Sequence, residues 1–455
     1  MNRQGILLLV RTASKMKPII VIGLMSSLLA GCGILNRGSG PRTPTIGNRT
    51  AVLTTEAVIE VDPALAASPV TVPAPVANAD WPQPGGNPAK AMVHVNLGPA
   101  PARQWHVSIG TGSSPTARLA SEPVVAGGRV YTIDTRAMVR AFDANTGAQV
   151  WETRVRGEGA SGATLFGGGV SFDNGRLYVT NGAGDAAALD AATGAQQWQV
   201  RPGGPLRGAP TVAAGSVYVL SQDNQLYALN AENGRTQWTG TGAVELAGVF
   251  GTAAPAFAQS TVVAGFSSGE LTAYRYENGQ VVWQDALART GVSTIVGNLS
   301  DIDADPVVDN GRVFAVGQGG RMVAVELITG QRAWELNIAG ISTPWVAGDW
   351  VFVVTDRAQL LAVSRASGKV RWMTQLQRYR SPTNERSGPV FWRGPVLAGG
   401  NLVLASSTGH IAFVNPVDGT LGRTVRQPVG ISLPPVVANG VMYVLDDSGM
   451  LSAYR

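Results

Sequence analysis

Asp143-Ala144-Asn145-Thr146-Gly147-Ala148-Gln149-Val150-Trp151 is the stretch on which the fold of this chain turns. An aspartate side chain can accept hydrogen bonds from the backbone just after it, and a glycine can take the positive φ that closes a tight turn. The turn therefore reads as a hairpin, and the tryptophan that follows it stands on the returning strand. The pattern recurs. A tryptophan four positions after a glycine is found again as Gly194/Trp198, Gly234/Trp238, Gly279/Trp283, Gly330/Trp334 and Gly368/Trp372. Successive tryptophans are 38 to 51 residues apart. A seventh copy, Gly419/Arg423, keeps the frame without the tryptophan, and Trp105 lies one period ahead of Trp151.

Each unit repeats the same grammar. A proline-led strand opens it, as in Pro123-Val124-Val125 or Pro306-Val307-Val308. A Gly/Asn turn leads to an apolar strand such as Ser216-Val217-Tyr218-Val219. A third strand, the Asx-Gly turn and the tryptophan strand complete it. No stretch of the body has sustained helical periodicity. Four-stranded antiparallel units at this spacing are propeller blades, and each buries its faces only against neighbours, so the array must close. Seven complete units and one split unit predict an all-β, eight-bladed β-propeller. Its last blade joins strands within residues 433–455 to the strand of Trp105. The tryptophans read as packing anchors between blades.

Length alone, 455 residues, suggests two or three domains, but the repeat accounts for residues 81–455 as one. Residues 1–31 hold Arg3, Arg11, Lys15 and Lys17 and no acid, so most of the net charge of +5 belongs there. The rest is nearly neutral and has no basic stripe of the kind nucleic-acid binding needs. Pro18 to Leu29 is an apolar run of signal-peptide length, ending in Leu29-Ala30-Gly31-Cys32. That ending looks like a bacterial lipobox, in which the thiol accepts a diacylglycerol; Cys32 is the sole cysteine. Residues 1–31 are expected to be a lipoprotein signal peptide, and residues 32–80, rich in Ala, Pro, Val and Thr, a flexible tether.

One cysteine excludes a disulfide scaffold, a cysteine zinc site and a CxxCH haem, and His94, His106 and His410 offer little for a metal site. Gly157-Glu158-Gly159-Ala160-Ser161-Gly162 matches GxGxxG without a helix or βαβ unit around it. Asp301-Ile302-Asp303-Ala304-Asp305 begins like a calcium loop, but Pro306 stands where the turn glycine is needed and Arg312 where the bidentate glutamate is needed. A second long connection carries Arg378-Tyr379-Arg380 and Glu385-Arg386. No catalytic residue, cofactor site or metal site is expected.

The unit Asp-Ala-x-Thr-Gly-x-x-x-Trp resembles the pyrroloquinoline-quinone-type propeller repeat. Two families share it, the quinoprotein alcohol dehydrogenases and the outer-membrane-protein assembly factor BamB family. The dehydrogenases often carry a vicinal cysteine pair, which a single cysteine rules out. The lipobox and the single propeller resemble the BamB family. So does Leu299-Ser300-Asp301-Ile302-Asp303-Ala304-Asp305-Pro306-Val307-Val308, similar to that family's Leu-Ser-Asp-Val-Asp-x-x-Pro-Val-Val. The resemblance implies that Asp301 and Asp303 contribute to binding the barrel-assembly protein BamA. A neighbouring family loop reads Leu-Arg-Gly before a Ser-Ala-Pro strand. Its counterpart here is Val249-Phe250-Gly251 before Ala253-Ala254-Pro255, with Phe250 in place of the arginine. The implied function is a non-enzymatic lipoprotein scaffold of the outer-membrane barrel-assembly (BAM) complex. It would be lipid-anchored at the periplasmic face, beside BamA, other assembly lipoproteins and unfolded outer-membrane proteins. A periplasmic quinoprotein oxidoreductase and a propeller binding another envelope partner, such as polysaccharide, are the alternatives.

Overall fold

A computed structural model describes residues 59–65, 67–157, 166–243, 251, 253–287 and 300–455. Residues 57–455 form one unit, which holds eight four-stranded antiparallel sheets and one separate two-stranded ribbon. Seven sheets are continuous in sequence and form blades 1 to 7, at residues 124–154, 168–200, 211–241, 256–286, 307–336, 345–375 and 392–426. The eighth pairs Val436–Ala438, Val441–Leu445 and Met450–Tyr454 with Arg103–Ser108 as its fourth strand. In that seam Trp105 lies opposite Ala453 and Val107 opposite Leu451. The expected eight-bladed, split-blade architecture is the one observed.

Burial falls from the first strand of a blade to the fourth. Val124–Ala126 is wholly buried, whereas in Val281–Ala286 only Trp283 is buried. The apolar residues form layers between blades rather than one central core. Val124, Tyr131 and Ala141 of blade 1 pack with Val170, Leu177 and Ala187 of blade 2, and Val263 and Ala273 of blade 4 with Val313 and Val323 of blade 5.

The repeated glycine and tryptophan meet across each junction. Gly368 has φ 72°, and a Cβ built there would lie 2.7 Å from the ring of Trp334 in the preceding blade. The Trp334 indole N–H donates to Arg365 O in the same turn, at 2.8 Å. Trp105, Trp151, Trp198, Trp238, Trp283 and Trp372 make the same bond, to Ala144, Ala191, Ala231, Tyr276, Leu327 and Pro416. Each tryptophan thus sits under the turn joining the third and fourth strands of the next blade. Blade 8 has no such turn, because those two strands come from distant parts of the chain. That explains Arg423. With no glycine turn to pack under, the side chain instead donates to Pro101 O at 2.8 Å and lies over Phe413. Ala102 and Arg455 close the seam by exchanging backbone hydrogen bonds of 2.8 and 3.0 Å.

A segment not foreseen as special, residues 78–97, touches the first strand of every blade. Asn78 bonds to Val437 O and Asn439 N of blade 8. Trp81 exchanges backbone bonds with Val125 of blade 1, and Pro82 O accepts from Phe172 N of blade 2. The Gln83 amide bonds both backbone groups of Val212 in blade 3. Pro88 O and Ala89 O accept from Phe257 N and Val308 N of blades 4 and 5. Val93 O accepts from the Trp345 indole of blade 6, and Val95 pairs with Leu397 and Gly399 of blade 7. His94 is held as one tautomer, Nδ1 donating to Pro73 O and Nε2 accepting from Gly400 N.

Residues 59–80, expected within the free tether, are laid on the propeller. Val61 pairs with Val370 at the edge of blade 6, Asp62 meets Lys369 at 2.6 Å, Arg371 donates to Ser68 O, and Val70 is 2% exposed. Proline-rich chain leaves few N–H groups needing partners, so it can lie against a surface without forming a strand.

Candidate partner-docking site

The segment that carries Asp301 and Asp303 connects blade 4 to blade 5. Its apolar residue sets its direction: Ile302 is fully buried, close against Gly265 of blade 4. Ile302 N bonds Phe266 O, Asp301 O accepts from Gln318 N, and Ser300 Oγ donates to Ser267 O. Both aspartates consequently turn inward. Asp301 is 0% exposed, and the Asp303 side chain is 8% exposed.

Asp303 meets Arg207, which is 1% exposed and comes from the connection between blades 2 and 3. Arg207 Nη2 lies 3.3 Å from Asp303 Oδ1, and Arg207 Nε donates to Gly251 O at 3.4 Å. The other Asp303 oxygen accepts a short bond from the Gln318 amide. Gly251 belongs to the connection between blades 3 and 4, so one guanidinium and one carboxylate tie three successive connections together. A side chain at 251 would push the clasp apart: a Cβ there would come within 1.7 Å of Asp303 Oδ1 and 2.1 Å of Arg207 Nη2.

Burial dominates the electrostatics. It pushes Asp303 up to about 6, with Arg207 pulling the other way and Asp301 adding to the rise. It also lowers Arg207, against the opposing pull of Asp303 and Asp301. A pair in which desolvation outweighs attraction for both partners adds little net stability, and it is costly to break from one side. The clasp therefore specifies geometry more than it stabilises the fold.

Asp303 and Asp305 also face a cavity of about 700 Å³ on the propeller axis, with Lys90, Glu122 and Arg393 in its wall. Trp81, Gly85 and Lys90 of the 78–97 segment line it as well. Lys90 Nζ donates to Thr211 Oγ1 at 3.1 Å, and Asp305 accepts from Ala254 N at 2.7 Å. Burial raises Glu122 and Asp305 and lowers Lys90. Among the described residues no three His, Cys, Asp or Glu side chains are grouped to hold a metal ion.

Of the residues expected in the site, the structure joins Asp301 and Asp303 to the interior, whereas Cys32, Val249 and Phe250 lie outside the described residues. Sequence alone marks Gly251 only as the end of the Val249-Phe250-Gly251 loop, and Arg207 and Gln318 not at all. One signal was available. Leu206-Arg207-Gly208-Ala209-Pro210 contains the Leu-Arg-Gly tripeptide ahead of an Ala-Pro strand, one connection earlier than Val249-Phe250-Gly251. The arginine missing from the later loop is supplied to Gly251 O by its neighbour.

A family model described as outer membrane protein assembly factor BamB matches residues 96–162 and 136–374. The BamB of Alkalilimnicola ehrlichii is 33% identical over 365 residues, which span 79% of this chain and 90% of that protein. The BamB of Yersinia pestis is 27% identical, spanning 78% of this chain and 89% of that one. Among solved structures, BamB from Moraxella catarrhalis superposes with a TM-score of 0.66 at 17% identity, over 78% of this chain and all of that one. A quinohemoprotein alcohol dehydrogenase from Comamonas testosteroni reaches 0.65 at 14% identity, over 83% and 80%. The two structural likenesses speak for the fold alone.

Proposed function

We propose, from the premise that this chain belongs to the family of the outer membrane protein assembly factor BamB, that it is a non-catalytic scaffold of the machinery that assembles outer membrane proteins. The observation that carries this is the family match, which runs through most of the propeller, together with relatives of that name matched over most of their length. Residues 1–31 act as the signal peptide, Cys32 carries the lipid, and the stretch after it is the free tether. The anchor holds the propeller at the periplasmic face of the outer membrane. The connections joined by Arg207 and Asp303 present the surface that meets a BamA-like partner. Since Asp301 and Asp303 face inward, they act by shaping those connections.

Cross-linking and affinity capture from membranes tests this reading. The full chain recovers the barrel-assembly protein, and Asp303→Asn reduces recovery even well below its lowered melting midpoint, where the propeller is still folded. A partner set lacking that protein would overturn the scaffold assignment. Cys32→Ser moves the protein from the membrane to the soluble fraction and abolishes incorporation of labelled palmitate. Retention in the membrane would refute the anchor.

A further inference from the structure

Residues 356–393 hold eight basic and two acidic residues, although the body as a whole is nearly neutral. The excess divides between the two ends of one strand, Val370–Gln375, the fourth of blade 6. At its start the cations are engaged: Arg365 pairs with Asp309, Lys369 with Asp62, and Arg371 donates to Ser68 O. At its far end the chain rises into the separate ribbon, Tyr379–Ser381 against Asn384–Pro389. Arg378, Arg380 and Arg386 are exposed there, and none has a carboxylate within ion-pair distance among the described residues.

The ribbon is built firmly. The Trp392 indole donates to Gln377 O at 3.0 Å, Val390 N to Arg378 O at 2.9 Å, and Ser381 N to Ser387 Oγ at 2.8 Å. Leu376 and Val390 are buried at its base. The Arg378 guanidinium lies 5.0 Å from the Tyr379 ring centre, with Asp356 near enough to feel its charge but outside ion-pair distance. Blade closure does not require this element: the connection between blades 5 and 6 carries no ribbon. Exposed arginines beside a tyrosine on a rigid support are the composition of a recognition surface.

We propose that this ribbon is a docking surface for an extended acidic segment of a partner protein. Exposure alternates along Arg378, Tyr379 and Arg380, so the two guanidiniums recur every second residue, roughly 7 Å apart along an extended chain. Carboxylates at alternate positions of a strand recur at the same distance. The ribbon also has outer edges with backbone groups to which a strand can be added. Arg386, on the opposite arm beside the exposed Glu385, adds a third exposed cation. None of these three arginines belongs to the clasp of Arg207 and Asp303, so their substitution tests this surface independently of the docking proposed there.

Fluorescence anisotropy with the full chain tests the proposal, using a labelled short peptide alternating glutamate with threonine. A peptide of the same composition with all its glutamates in one block serves as comparison. The alternating peptide binds more tightly. The combined substitution Arg378→Gln, Arg380→Gln and Arg386→Gln weakens it about ten-fold, as three exposed charge pairs allow. All three side chains are exposed, so melting stays unchanged; should it shift, Arg386→Gln alone gives about a two- to three-fold loss with the ribbon base intact. Equal binding of the alternating peptide by wild type and triple variant overturns the proposal. So does arginine-dependent sedimentation with phosphatidylglycerol vesicles in the absence of peptide binding, which assigns the ribbon to a lipid surface instead.

Discussion

Replacing Arg207 by methionine removes the guanidinium while keeping much of the side-chain volume. Asp303, 8% exposed, is then left with the pull of Arg393 across the cavity and the Gln318 amide bond. Breaking a buried pair from one side costs about 3–5 kcal/mol. The cost depends on pH in a way that identifies its cause. A carboxyl whose folded value is raised favours the fold when protonated. That contribution is complete below its ordinary value of 3.8 and is lost as pH rises through about 6. Without Arg207 the loss shifts to higher pH. At pH 5 Asp303 holds a proton in wild type and variant alike, so the missing guanidinium matters little. At pH 8 the variant must either bury a charge that has lost its ion-pair partner or hold a proton two pH units above its wild-type midpoint. At about 1.4 kcal/mol per unit that is an extra loss of about 3 kcal/mol. Urea unfolding followed by tryptophan fluorescence at pH 5 and pH 8 measures the difference. An equal loss at both values would refute the ion-pair argument, and no loss at either would refute the clasp itself.

Three further expectations concern the propeller. Trp334→Phe keeps an aromatic ring but loses the bond to Arg365 O and part of the indole packing under Gly368, at a cost of about 1–2 kcal/mol, whereas Trp334→Ala costs about 3–5 kcal/mol; a similar cost for both in urea melts would discount the role of ring burial. Gly368→Ala is far more destabilising than Gly311→Ala, although their φ values are 72° and 76°. A Cβ at 311 meets open space and at 368 meets Trp334, so equal melting shifts would show that backbone strain alone matters. Deleting residues 59–97 lowers the thermal midpoint by more than about 10 °C, through loss of bonds to all eight blades. Deleting residues 33–58 leaves the midpoint unchanged, and matching curves for the two deletions would show that the inner ring of contacts is dispensable.

The propeller was legible because its rule is local. A turn needs Asp143 and Gly147 four residues apart whatever surrounds it, so the count of blades and the split eighth blade can be read from the chain. Even the absent tryptophan at Arg423 was visible, although its reason, the missing turn in blade 8, belongs to the closed ring. The site was half legible. Ser300 to Asp305 stood out by residue type, but the direction of its side chains depends on Ile302 finding a pocket beside Gly265, a contact between blades. Arg207 lies 96 residues from Asp303, and no local pattern links them. Residues 78–97 have no periodicity of their own. Their conformation is copied from eight strand ends, so composition puts residues 78–80 in the tether and gives 81–97 no role of their own.

The seam of the eighth blade imposes an order on how the molecule is made. Synthesis delivers Arg103–Ser108 early, while Met450–Tyr454, the strand to which it pairs, comes almost at the end of the described chain. Blades 1 to 7 can stack as they emerge, each tryptophan finding its turn in the blade that follows. Throughout that time two sheet faces and the edge of strand 103–108 stay open, and open edges invite pairing with other chains. The entropy of joining such distant segments is met once, in a single late step. A chain without residues 450–454 has no partner for strand 103–108, so its ring cannot shut. Such a chain keeps an unpaired strand edge exposed, so closing the ring also hides the surface most able to pair with other chains.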